Sequence, residues 1–203
     1  MNRPSRQTAK PDEAASAPRI IGGEFRHRRL EFSPDPRTRP MKDRVRESLF
    51  DLIGYRVKGA LALDLFAGSG AIGFEAVSRG AVWGVFCERH FPTADLIGRS
   101  AKLLGVEDRV EVRPGDVLLW AKRMPELPKT MPWVVFVSPP WEFFQSRIEE
   151  MMALVTAMQQ AAPPGSTLVV EGDTAFDPAA LPAPEAWEVR PVPPAVLYLQ
   201  FLK

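Results

Sequence analysis

The stretch from Phe136 to Trp141, FVSPPW, ends an apolar run with one hydroxyl, two prolines and an indole. Each part has a chemical use. The Ser138 hydroxyl and the Pro139 carbonyl can both accept hydrogens from an amine. Pro139 and Pro140 fix φ and force the preceding residue to be extended, which makes the tip stiff. Trp141 can stack on an unpaired or flipped base. An exocyclic amine on a nucleobase is conjugated with its ring and is a poor nucleophile. Its hydrogens must be held, its lone pair aimed at an electrophile, and water kept away. Ser138, Pro139, Pro140 and Trp141 are therefore the candidate catalytic residues; the competing reading is a proline-rich strand exit with a core Trp.

A second stretch, LDLFAGSGAIG, places Gly68, Gly70 and Gly73 in a G-x-G-x-x-G spacing between an apolar run and an amphipathic one. That pattern also fits a dinucleotide-binding turn. Asp64, directly before the loop, argues against a pyrophosphate, which would meet a like charge. S-adenosylmethionine has no phosphates, and its ammonium and sulfonium both favour a nearby acid. Phe66, Ala67, Gly68, Ser69 and Gly70 would then run along its methionine end. Glu88 ends the next apolar run, where an acid can accept from two ribose hydroxyls. Asp116, in RPGDVLLW, can accept from an adenine amino group with Val117 against the ring. Asp116 is equally suited to cap the helix that VLLW begins, and both roles can hold together.

The elements that must position these residues alternate in type. ALALDLF is a continuous apolar run, as expected of a strand buried on both faces. AIGFEAVSRG reads as a helix, VWGVFCE as a strand, FPTADLIGRSAKLLG as a helix, and RVEVRPGD as a strand and turn. VLLWAKRM is a short helix, WVVFVSPP a strand, SRIEEMMALVTAMQQAAPPG a long helix and STLVVEGD a strand. WEVRPV and AVLYLQFLK form a closing antiparallel pair. Such alternation predicts an α/β fold with a mostly parallel sheet. Ahead of it, RIIGGEF and RRLEF predict a small β-hairpin. DRVRESLFDLIG predicts a helix capped by Asp43 and ended by Gly54, with Arg44, Arg46 and Glu47 on its outer face. Three regions follow: a disordered tail over 1–18, a hairpin and helix over 19–58, and the main domain over 59–203.

Composition excludes several classes. Of 203 residues, 45% are hydrophobic and 25% charged, an ordinary soluble balance. The N-terminus has no apolar signal core and no run is long enough to span a membrane. The single cysteine rules out an internal disulfide and fits a reducing cytoplasm. Two distant histidines give no zinc spacing, so no metal is expected. The net charge of +1 hides an asymmetry: residues 1–58 hold 14 Lys and Arg against 8 Asp and Glu. A basic front suggests a polyanion docking there. Arg26, Arg28, Arg29, Arg37 and Arg39 are the candidate substrate contacts, with Arg44 and Arg46 as further ones.

Taken in order, RIIGGEFRHRRLEF, TRPMKDRVRESLFDLI, LDLFAGSGAIGFEAVSRGA and VVFVSPPW resemble the bacterial small-subunit ribosomal RNA guanine-N2 methyltransferases of the D type. The resemblance covers roughly residues 19–150. It implies a Rossmann-like class I methyltransferase with a seven-stranded sheet and S-adenosyl-L-methionine as donor. It also implies a guanine of 16S ribosomal RNA as target; an assembling small subunit as the setting and a monomer as the working form are expectations set beside it. Three features depart from the family: Ser138 replaces the acid before Pro-Pro, Met41 replaces the Thr after Arg-Pro, and the last hairpin, RPVPPAV, lacks its usual basic residues. All three lie on the substrate side. Methylation of another amine, an adenine amino group or a protein amide, and a non-catalytic donor- or RNA-binding relic are the alternatives; a dehydrogenase is disfavoured by Asp64.

Overall fold

The computed structural model describes residues 17–33, 41–122 and 127–203. Its centre is a seven-stranded sheet in the order β3-β2-β1-β4-β5-β7-β6. The strands are β1 (Leu61–Asp64), β2 (Trp83–Glu88), β3 (Val110–Pro114), β4 (Trp133–Val137), β5 (Thr167–Gly172), β6 (Glu188–Val192) and β7 (Ala195–Phe201). The first five are mutually parallel, and β7 pairs antiparallel with both β5 and β6. Every residue of β1, β4 and β5 is buried, which is why these runs are apolar without alternation.

Helices α1 (Asp43–Ile53), α2 (Ala71–Ser78) and α3 (Phe91–Leu104) cover one face of the sheet. Helices α4 (Val117–Ala121) and α6 (Ile148–Ala161), with the short α5 (Phe143–Ser146), cover the other. On that second face Leu63, Cys87, Val135 and Val170 meet Val117, Leu118, Met151 and Leu154. The strand order reverses between β1 and β4, where the parallel strands splay their C-terminal ends and leave a crevice. Asp64 at the end of β1 is in register with Phe136 of β4, two residues before Ser138. The glycine loop and the Pro-Pro tip therefore meet at one place.

The leading segment differs from expectation in two ways. The expected hairpin is reduced to one antiparallel bridge, Arg19 to Arg29. The segment is instead pinned to the helices beneath it. Ile20, Phe25 and Leu30 bury themselves against Phe74 and Val77 of α2 and Ile97 and Ala101 of α3. The Glu75 carboxylate accepts from the amides of Ile21 and Gly22, at 2.7 and 2.8 Å. Ser78 Oγ accepts from Phe25 N and donates to Gly22 O.

Arg46 is the second correction. The helical pattern puts it on the outer face of α1, yet it is 0% exposed. The leading segment folds over it. Its guanidinium donates to the Arg19 and Met41 carbonyls and to Asp43 Oδ1, and lies 3.8 Å from buried Glu75. It is a structural ion and is withdrawn as an RNA contact. Asp43 is the first residue of α1 rather than its cap, and Gly54 ends the helix as expected. The tail over 1–16 and the Pro-rich loop over 34–40, with Arg37 and Arg39, lie outside the described residues.

Candidate active site

The glycine loop is built by two left-handed backbone positions and one close approach. Gly68 and Gly70 have φ of 52° and 77°, a left-handed turn that other residues adopt only with strain. A Cβ on Gly73 would lie 2.3 Å from the Phe86 ring, so the third glycine sets how tightly α2 packs on β2. The loop is then tied to its neighbours. Gly68 N donates to Glu88 Oε2 and His90 N to Glu88 Oε1, both at 2.8 Å, while Ala67 N donates to the Cys87 carbonyl.

Asp64 lies beneath the loop and is 1% exposed. Its Oδ2 accepts from Gly73 N at 2.9 Å; its Oδ1 is buried with no hydrogen-bond partner. Burial pushes its carboxyl up to about 7, partly offset by the Gly73 hydrogen bond and reinforced by the Glu88 charge. A buried acceptor without a donor fits the cationic methionine end of the expected ligand. Asp116 caps α4, accepting from Leu118 N, and its other oxygen lies 3.4 Å from Arg147. The capping role expected for it is present, and the second oxygen is engaged by a cation that the sequence reading missed.

Arg147 belongs to a wall that sequence spacing did not reveal. Phe143 of α5 meets Phe66 edge-on at 6.3 Å, with the Arg89 and Arg147 guanidinium groups 5.4 and 5.2 Å from its ring. Phe66 was expected at the donor side; Phe143 and its two cations were not. Phe143 and Arg147 begin and close a helix of four residues after the Pro-Pro turn, too short to leave a periodic signal, and Arg89 comes from the turn after β2.

At the tip, Ser138 and Pro140 are partly exposed and Pro139 is buried. Trp141 is neither a core residue nor a free one. It packs on the cluster formed by α1, β4 and β7, as does Met41. Its other side opens on a pocket lined by Phe144, Ile148, Asp173, Phe176 and Asp177. The Ser138 hydroxyl donates to Glu171 Oε2, at the end of β5. Glu171 is 8% exposed; burial pushes its carboxyl above the ordinary glutamate range and the Ser138 hydrogen bond pulls it part of the way back. Arg26, Arg28 and Arg29 are exposed on the leading segment, and the Arg28 guanidinium donates to the Leu103 carbonyl.

Among the described residues no cluster of His, Cys, Asp and Glu could hold a metal ion, and no helix is long and apolar enough to cross a membrane.

Comparison with known proteins bears on this site. Residues 18–190 match the family model described as "Conserved hypothetical protein 95". Ribosomal RNA small subunit methyltransferase D of Escherichia coli (strain K12) is 37% identical over 148 residues, covering 72% of this chain and 71% of that one. Among solved structures, Escherichia coli yhhF, described as a candidate methyltransferase, superposes with a TM-score of 0.74 at 26% identity. That match covers 93% of this chain and 99% of the other. An RNA methyltransferase of Salinibacter ruber in complex with S-adenosyl-L-homocysteine shares the fold, with a TM-score of 0.58 at 20% identity, over 81% of this chain and 94% of the other.

Proposed function

We propose, because the chain belongs to the conserved hypothetical protein 95 family, as its kinship with ribosomal RNA small subunit methyltransferase D also shows, that it transfers a methyl group from S-adenosyl-L-methionine to the exocyclic N2 amine of a guanine in small-subunit ribosomal RNA. The observation that carries this reading is the register of β1 and β4, which sets Asp64 and the Ser138-Pro-Pro-Trp tip across one crevice. We take the substrate to be 16S RNA within an assembling subunit, and the working form to be a cytoplasmic monomer.

Asp64, Phe66, Ala67, Gly68, Ser69, Gly70, Glu88, Asp116 and Val117 are the residues that would hold the donor, which supplies an electrophilic methyl group. Asp64 offers its unpartnered oxygen to the ligand's ammonium. Both Glu88 oxygens are already held by backbone amides, so the carboxylate is fixed in place and keeps lone pairs for ribose hydroxyls. Phe66 and Phe143 shield the reacting centre from water. On the other side, Trp141 stacks on the base, and Ser138 Oγ with the Pro139 carbonyl holds the amine hydrogens. Arg26, Arg28 and Arg29, with Arg37 and Arg39 on the neighbouring loop, grip the phosphates.

The test is methyl transfer from labelled donor to naked 16S RNA, immature small subunits and DNA, followed by nucleoside analysis of the product. N2-methylguanosine in small-subunit RNA is the expected outcome. Label in adenine or protein would redirect the substrate, and donor binding with no transfer to any RNA would make the chain a binding relic. That last reading is favoured by the neutral hydroxyl of Ser138 at the position where the resemblance implies an acid.

A further inference from the structure

The resemblance implies an acid at the tip where this chain has Ser138, and the structure places a carboxylate against that hydroxyl. Glu171 is the penultimate residue of β5, and the register that pairs Val137 with Val170 sets Ser138 beside Glu171 on the neighbouring strand. The two side chains are hydrogen-bonded. Glu142, the acid adjacent in sequence, is exposed, and its carbonyl serves the turn of α5. A carboxyl as buried as Glu171 costs stability unless it has a task or a strong partner. Its partner here is one serine hydroxyl, at the mouth of the crevice. We propose that Glu171 is the positioning carboxylate of the methyl-transfer tip, acting through Ser138 to orient the target amine and to take up its proton.

This rests on methyl transfer occurring at the Ser138 tip. A free serine hydroxyl rotates and donates as readily as it accepts. With its proton committed to Glu171, Ser138 Oγ turns its lone pairs outward, and the bond to a charged acceptor makes that oxygen a better acceptor. The proton balance closes. The amine nitrogen uses its lone pair to bond the methyl carbon, whose former bonding pair stays on the donor sulfur. The nitrogen, now cationic, releases one hydrogen to Ser138 Oγ as the serine proton passes to Glu171. Serine is regenerated, Glu171 ends neutral, and solvent removes its proton between turnovers.

The environment of Glu171 keeps the scheme simple. β4 faces it with the Ser138 hydroxyl, and β7 faces it with its register partner Leu197. Burial and the Ser138 hydrogen bond are the two influences on its carboxyl, and Asp173, two residues on, is the next acid on its own strand end. The carboxylate form is the working one, so the rate rises with pH through a limb above the ordinary glutamate range.

The scheme makes an unusual prediction for restoring the family's acid. Ser138→Asp would put two carboxylates side by side, and such a pair shares one proton instead of ionising twice. The single change therefore slows the enzyme, and Ser138→Asp with Glu171→Gln recovers it.

The experiment is single-turnover methyl transfer at saturating donor, which removes the pH dependence of donor binding, on immature small subunits against pH, for the native protein, Glu171→Gln, Ser138→Asp and the double variant. Alongside it, carboxyl NMR follows the Glu171 titration in the free native and Ser138→Ala proteins. Glu171→Gln should be about a hundredfold slower and lose the rising limb, while the double variant outpaces Ser138→Asp. In Ser138→Ala the Glu171 midpoint should move further up, because the hydrogen bond that lowers it is gone. A limb unchanged in Glu171→Gln, a double variant no faster than Ser138→Asp, or a Glu171 midpoint indifferent to Ser138→Ala overturns the proposal and leaves RNA methylation standing. A native protein that binds donor and methylates no RNA overturns both.

Discussion

At the residue scale, Asp64 gives the sharpest expectation because its carboxyl is pushed up to about 7. An acid whose folded value is raised binds its proton more tightly folded than unfolded. As pH rises from the unfolded value near 4 toward 7, the unfolded chain releases the proton first, and stability falls through that window. The loss levels off above it. Asp64→Asn should abolish that decline, so the difference in melting temperature between variant and native protein should widen from pH 5 to pH 8. A cationic ligand favours the ionised form, so S-adenosylhomocysteine should bind more tightly as pH rises through 7, releasing a proton detectable by calorimetry in buffers of different ionisation enthalpy. Asp64→Ala should weaken that binding by about 1–3 kcal/mol at pH 8, and equal affinity would remove Asp64 from the site. Such residues were legible because their neighbours in sequence announce them: an acid, then glycines at fixed spacing. Glu171 was not. In LVVEGD it reads as an ordinary strand-end acid, and its meaning arises only when β5 lies beside β4 with Ser138 opposite.

At the scale of elements, α2 joins the two sides of the molecule. Its first turn starts at Gly70 and its Gly73 amide holds Asp64; its last turn, through Glu75 and Ser78, holds the leading segment. Glu75 and Arg46 are both fully buried at this seam. Arg46→Ala leaves the Arg19 and Met41 carbonyls without their donor, while Glu75 keeps Arg79 at 2.7 Å and two backbone amides, so the change should cost about 2–4 kcal/mol. At about 2–4 °C per kcal/mol for a chain of this size, thermal unfolding should fall by roughly 10 °C, with donor affinity retained below the transition. A shift of a degree or less would mean that the seam contributes little. The pattern of DRVRESLF could not disclose this burial, because it marks Arg46 as outward on an isolated helix; only the segment folded over α1 makes it inward. Trp141 belongs to this scale too, since it rests on the α1–β4–β7 cluster while facing a pocket. Trp141→Phe should keep near-normal transfer if stacking is its role, and Trp141→Ala should lose about 1–3 kcal/mol of RNA binding. A large fall in melting temperature for Trp141→Phe would favour the packing role instead.

At the scale of the whole molecule, charge is divided: the front 58 residues are basic and the rest acidic, with 12 Lys and Arg against 17 Asp and Glu. RNA approaching the crevice is drawn to one side and repelled by the other. Replacing Arg26 and Arg29 by Ala should flatten the dependence of log affinity on log salt by about 0.7 to 0.9 per lost phosphate contact, with donor affinity untouched. An unchanged slope would move the grip elsewhere. The architecture was legible at this scale because buried parallel strands have no polar face and alternate with glycine-ended helices. The hairpin was less so, since one bridge and a set of side-chain tethers replace a ladder. The interior also has a practical side. Cys87 lies in the sheet core, 3% exposed, with its thiol pushed up to about 12 by burial. It is the only cysteine in the chain. A thiol so shielded stays silent toward maleimides, so the native protein is already suited to single-site labelling. A cysteine introduced on the leading segment would take a fluorophore alone, and the arrival of RNA could be timed without altering the core.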